Sequence, residues 1–144
     1  MLDRLLSVLV IGVALVLVAG AGACSSAPSS PAPLYSAQDA TKVAAHDLFA
    51  AYVKDKTAAN GSYKGKLLEV SGVMARVGTD PIFKAPEVII SGGGKDPNRG
   101  VDCVFDTRYA SQVAKLRKGQ AVTVLGKCEG YAVNVVLLHC QPSE

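Results

Sequence analysis

From Lys66 onward the apolar residues leave helical spacing for short strand-like runs, and the order of those runs narrows the fold more than any other feature. The stretch "KLLEVSGVMARVG" places Leu68, Val70 and Val77 in a strand rhythm, with Gly72 breaking strict alternation as at a bulge. "PEVIISGGG" predicts a second strand over Glu87–Ser91, and "GVDCVFD" a third over Val101–Asp106. "RYASQVAKLRKG" returns to helical spacing, with Val113 and Leu116 apolar and Gly119 as the stop. "QAVTVLGKC" and "VNVVLLHC" supply two closing strands joined by a turn at Glu129–Ala132.

Upstream, Ser36 with Asp39 three residues on has the form of a helix-capping pair. The alanine-rich stretch behind it carries Val43, Ala44, Leu48, Ala51 and Tyr52 at helical spacing, and Asn60-Gly61 is a plausible stop. One helix of about twenty residues is expected. Its His46, beside Asp47, reads as a solvated side chain. Five strands with a helix between the third and fourth is the layout of a five-stranded OB-fold Greek-key barrel. The predicted fold is therefore mainly β with helices, the barrel preceded by an N-terminal α-helix and plugged at one end by Val113 and Leu116.

The first residues set the compartment. Leu5 to Ala23 is uncharged, and its last five residues are only Ala and Gly. An apolar core ending in small residues reads as an export signal; a plain transmembrane helix is the competing reading. Ala21-Gly22-Ala23-Cys24 resembles a bacterial lipobox, in which cleavage precedes a cysteine that then carries lipid, although Ala21 stands where leucine is usual. Ser25 to Pro33 is Ser, Ala and Pro only, a polar tether. The expected organisation is a signal peptide over 1–23, a lipidated disordered tether over 24–35, a helix over 36–62 and the OB-fold domain over 63–142.

"LFAAYVKDKTAANGSYKGKLLEVSGVM", "GVDCVF", "LRKGQAVTVLGKCEGY" and "VVLLHC", in that order, resemble the tRNA-anticodon-like OB-fold family across Leu48 to Gln141. The resemblance implies an OB fold and an exported or lipid-anchored bacterial protein. It carries over no catalytic residue and does not imply tRNA binding.

Charge and cysteine usage limit the function classes. The net charge of +3 is spread among interleaved acids and bases, and the chain lacks Trp, so no nucleic-acid footprint stands out. With Val101, Cys103 and Phe105 inward, the third strand turns Asp102, Val104 and Asp106 outward, and carboxylates on that platform repel a phosphate backbone. "SGGGKDPNRG" departs from phosphate-loop spacing and reads as a flexible connection. Arg76, Lys84, Lys95 and Arg99 are the candidates for a weakly basic binding rim. Beyond Cys24, the cysteines are Cys103, Cys128 and Cys140. Their spacing is unlike a zinc site, and no catalytic triad or acid–base pair emerges. An oxidising compartment predicts one disulfide, with Cys103–Cys128 the expected pair because both lie toward one end of the barrel. The expectation is a monomeric, non-catalytic binding module without metal or cofactor, held to the membrane by lipid at Cys24. Its ligand would be a small molecule, a glycan or an envelope protein. Single-stranded nucleic acid is the alternative. Ser25 after the anchor points to the periplasmic face of an outer membrane where the host has one, and otherwise to the outer face of the cell membrane.

Overall fold

The structure, a computed structural model, describes residues 30–143. The leader, Cys24 and the tether up to residue 29 lie outside the described residues. Strands β1 (Thr41–Ala44), β2 (Leu67–Thr79), β3 (Pro86–Ser91), β4 (Gly100–Phe105), β5 (Ala121–Tyr131) and β6 (Val135–Pro142) form one sheet. Helices α1 (Ala45–Lys54) and α2 (Lys56–Tyr63) sit between β1 and β2, and the single-turn α3 (Ala110–Val113) between β4 and β5.

The sheet order β1-β2-β3-β4-β6-β5 closes through a β2–β5 pairing, giving a five-stranded barrel of β2 to β6. Strand β2 does double duty in this closure. Leu67–Val73 pairs with β5 and Met74–Thr79 with β3, with the register shifting between Met74 and Arg76. The bulge therefore falls just beyond Gly72. Gly72 serves a different purpose, because a Cβ there would lie 2.6 Å from the Ile90 side chain and 3.1 Å from Ala45. β4 and β6 run parallel, the mark of the OB arrangement.

The N-terminal region corrects the expectation of one long helix ahead of the barrel. Ser36 does cap, accepting from Gln38 N, but only a 3-10 turn over Ala37–Asp39 follows. Thr41–Ala44 then pairs in parallel with Leu68–Ser71 of β2. The physical reason is the first half of β2, which β3 does not reach; its open edge takes a strand from the nearest chain. The helical part is further split at Asp55, whose backbone is extended and whose carboxylate accepts from Ala58 N at 3.0 Å to start α2. α2 then runs through Asn60-Gly61 and ends before Gly65, whose φ of +78° makes the turn.

These helices are part of the barrel core. Ala45, Leu48, Tyr52 and Ala59 pack with Val70, Val88, Ile90, Val101, Cys103, Val135 and Leu137. Val113 plugs the other end, with Leu116 packed against the core. The two plugs sit at opposite ends of β5: Lys127 pairs with the start of β2 beside α2, whereas Ala121 pairs with Val73 beyond α3.

All three described cysteines are buried free thiols, so the expected Cys103–Cys128 bond is absent. Cys128 Sγ lies 3.4 Å from the Tyr52 hydroxyl, while Cys140 Sγ donates to Leu137 O at 3.5 Å. Burial, then Cys103, pushes the Cys140 thiol well above its ordinary value.

Candidate binding face

OB-folds hold ligands on the outer face of their second and third strands, here β3 and β4, and on the loops flanking it. The strand pleat sends Val88, Ile90, Val101, Cys103 and Phe105 into the core. It turns Glu87, Ile89, Asp102 and Val104 outward. The outward set is nonetheless mostly buried, Glu87 being 3% exposed.

Charge on this face is net acidic. Arg76 Nη2 on β2 donates to Glu87 Oε1 at 2.7 Å, neutralising one carboxylate. Asp102 pairs in the ladder with Ile89 and has no counter-ion bond; its Oδ1 is buried without a hydrogen-bond partner among the described residues. Burial first, then repulsion from Glu87 and Asp80, pushes its carboxyl up to about 6, with Arg76 opposing. A phosphate backbone laid across this face would meet carboxylates, and the strands offer it no aromatic ring.

The β2–β3 connection borders the face and carries its most unusual surface. Ile82 is 79% and Phe83 55% exposed. They stand on a closed turn. The Asp80 carboxylate accepts from Ile82 N (2.8 Å) and Phe83 N (2.6 Å), Asp80 N donates to Ala85 O, and Lys84 N donates to Asp80 O. Lys84 completes the turn with φ +55°. Two large apolar side chains are thus held out in water by a rigid frame, with Lys84 beside them.

The four basic residues expected to share one rim are divided between the two ends of β3. Arg76 and Lys84 belong to the β2–β3 end. Lys95 and Arg99 lie in the β3–β4 connection, six strand residues or roughly 20 Å away. Arg99 Nη2 donates to the Tyr131 hydroxyl at 3.3 Å, and Gly100 N donates to Asn134 Oδ1, so that end is a brace between two turns. The aromatic rings also gather there. Tyr52 stacks on Tyr131 with centroids 5.8 Å apart, and Phe49 and Tyr63 pack beside them. Sequence reasoning missed Ile82 and Phe83; the available signal was an apolar pair in a segment flanked by Pro81 and Pro86, too short for a strand.

Among the described residues no cluster of His, Cys, Asp and Glu has the geometry to hold a metal ion. No helix among them is long and apolar enough to cross a membrane.

Comparison with known proteins agrees with the topology. A crystal structure from Klebsiella pneumoniae subsp. pneumoniae, provisionally described as a nucleic-acid-binding lipoprotein, superposes with a TM-score of 0.58 at 15% identity. The match covers 74% of this chain and 94% of that one, and at this identity it speaks to the fold. No curated protein sequence matches. The tRNA_anti-like family profile matches residues 1–142, nearly the whole chain. The chain belongs to the tRNA_anti-like family, whose OB-fold barrel it builds.

Proposed function

We propose that the protein is a cell-envelope lipoprotein, anchored through Cys24, whose OB-fold domain is a non-catalytic module that grips a protein partner at the β2–β3 turn. The observation that carries this is the exposed Ile82–Phe83 pair on its rigid turn. Burying such a pair contributes about 1.5–3 kcal/mol per side chain, and a preorganised turn loses little entropy in doing so. The lipobox-like Ala21-Gly22-Ala23-Cys24 supports the anchor, and the Klebsiella neighbour is itself described as a lipoprotein. The partner surface that fits is an apolar cleft with a basic residue on its rim, facing Asp102.

Single-stranded nucleic acid is the second reading. Phe83 with Lys84 beside it resembles a stacking platform, and the neighbour's description points the same way. The carboxylates of β3 and β4 oppose it.

One pair of measurements separates the two. A photo-crosslinking residue in place of Phe83 should give a discrete protein adduct in intact cells, while the same residue in place of Lys127 should give none. A labelled oligonucleotide should show no salt-sensitive binding to the purified protein. Micromolar, salt-sensitive oligonucleotide binding that Phe83→Ser abolishes would reverse the order of the two readings. Ile82→Ser and Phe83→Ser should each leave stability within about 0.5 kcal/mol of the parent, because neither side chain is in the core.

A further inference from the structure

The chain reaches the barrel along a route that fixes where the anchor emerges. Gln141 is a buried polar residue, 4% exposed, at the end of β6. Its side-chain carbonyl accepts from Leu34 N (2.5 Å) and Tyr35 N (2.9 Å), and its amide donates to Tyr35 O (3.1 Å). The Tyr109 hydroxyl, just before α3, donates to Ala32 O at 3.0 Å. Leu34 packs against the core, and Leu125, which the pleat of β5 turns outward, is 2% exposed beneath this segment. Residues 32–35, expected to be part of a loose tether, are therefore clamped onto the barrel.

The clamp puts the incoming chain beside a basic surface. Ser30 to Pro33 and Lys115 line one cavity of about 700 Å³. Lys115, Arg117 and Lys118 are all exposed, and no acidic residue occurs between Thr107 and Gln120. The nearby Asp106 is already engaged. Its carboxylate accepts from Arg108 N and Arg108 Nε, which holds it below the usual carboxylate range. Six peptide steps separate Ser30 from Cys24, at most about 20 Å of chain.

We propose that the α3 end of the barrel is a membrane-docking surface, which sets Lys115, Arg117 and Lys118 against anionic phospholipid headgroups while the Gln141–Tyr109 clamp fixes the orientation. This rests on the reading of Cys24 as a lipid anchor. An anchored barrel on so short a leash stays near the headgroup layer, where each basic side chain adds to attraction by an anionic surface. The α1–α2 end, across the length of β5, then faces away from the bilayer. The β2–β3 turn, at the α3 end of β3, stays at headgroup level, so the Ile82–Phe83 pair meets its partner at the membrane surface.

The test uses the full protein purified from membranes and reconstituted in vesicles of phosphatidylcholine alone or mixed with phosphatidylglycerol. Amide hydrogen exchange over residues 107–120 should slow by about fivefold or more in the mixed vesicles, an effect that high salt removes. Residues 54–64, at the other end, should not change. The triple variant K115S/R117S/K118S, altered only at exposed positions, should remain in the vesicles and lose the lipid-dependent difference. Gln141→Ala should reduce that difference and speed exchange at Leu34 and Tyr35. Equal exchange over 107–120 in both vesicle types, with the acyl group present by intact mass, would overturn docking and leave the anchor standing. An intact mass without acyl groups would remove the anchor and the docking together. Protection over 54–64 instead would place the opposite end on the membrane and refute the orientation.

Discussion

At the scale of single residues, Asp102 is where the barrel carries its clearest electrostatic burden. Its carboxyl holds a proton up to about 6, against an ordinary value of 3.8, mainly because burial penalises the charge. A raised carboxyl value means that the folded state binds the proton more tightly than the unfolded one. This contribution to stability is full below about pH 4 and disappears as the pH rises through about 6. Asp102→Asn, which cannot ionise, should therefore match the parent near pH 4 and exceed it at pH 7. The expected gain is about 1–2 kcal/mol once partial solvent exposure is discounted, read from urea melts at the two pH values. A parent as stable as the variant at pH 7 would show that water or a counter-ion relieves the charge. The outward direction of Asp102 was legible from alternation with Val101 and Cys103. Its coupling to Glu87 and Asp80 was not, because that requires the strand register and the turn.

Among the elements, β3 to β6 follow directly from runs of β-branched and apolar residues bounded by glycine and polar turns. The segment Thr41–Ala44 was illegible as a strand for a definite reason. "TKVA" lies between alanine-rich stretches at helical spacing, and only the open edge of β2 makes it extended. The break at Asp55 has a similar origin: Asp is a good cap, but Asn60-Gly61 downstream presents the stronger stop signal in sequence alone. Removing that cap tests which signal governs. Asp55→Ala should cost about 1 kcal/mol, lowering Tm by about 4 °C, without loss of the fold. A Tm unchanged within error would mean that packing of Ala59 and Tyr63 holds α2 unaided. The binding face shows the same limit. The strand expected over Glu87–Ser91 already lay between Lys84 and Lys95, but the exposed Ile82–Phe83 turn was hidden in a segment that reads as a mere connection.

For the whole molecule, the closed barrel makes one prediction about chemistry. Cys103, Cys128 and Cys140 are each 0% exposed and belong to the core, so alkylation reports global opening rather than local fluctuation. A thiol reagent should leave Cys103, Cys128 and Cys140 unmodified in the native protein and label all three in denaturant. Labelling of the native protein at any of the three would show that the barrel opens well short of unfolding. The clamp has a mechanical counterpart. A pull on the N-terminus reaches Ala32, Leu34 and Tyr35 before it reaches β1, so the few hydrogen bonds of Tyr109 and Gln141 bear the load first. Their rupture would free residues 34–40, roughly 20 Å of slack, before tension is felt at Thr41. There β1 lies parallel to β2 with four residue pairs loaded side by side in shear. In a barrel held through its N-terminus, the entry segment would thus give way before β1, like a shock absorber ahead of a second joint, letting the barrel swing away and return without surrendering its core.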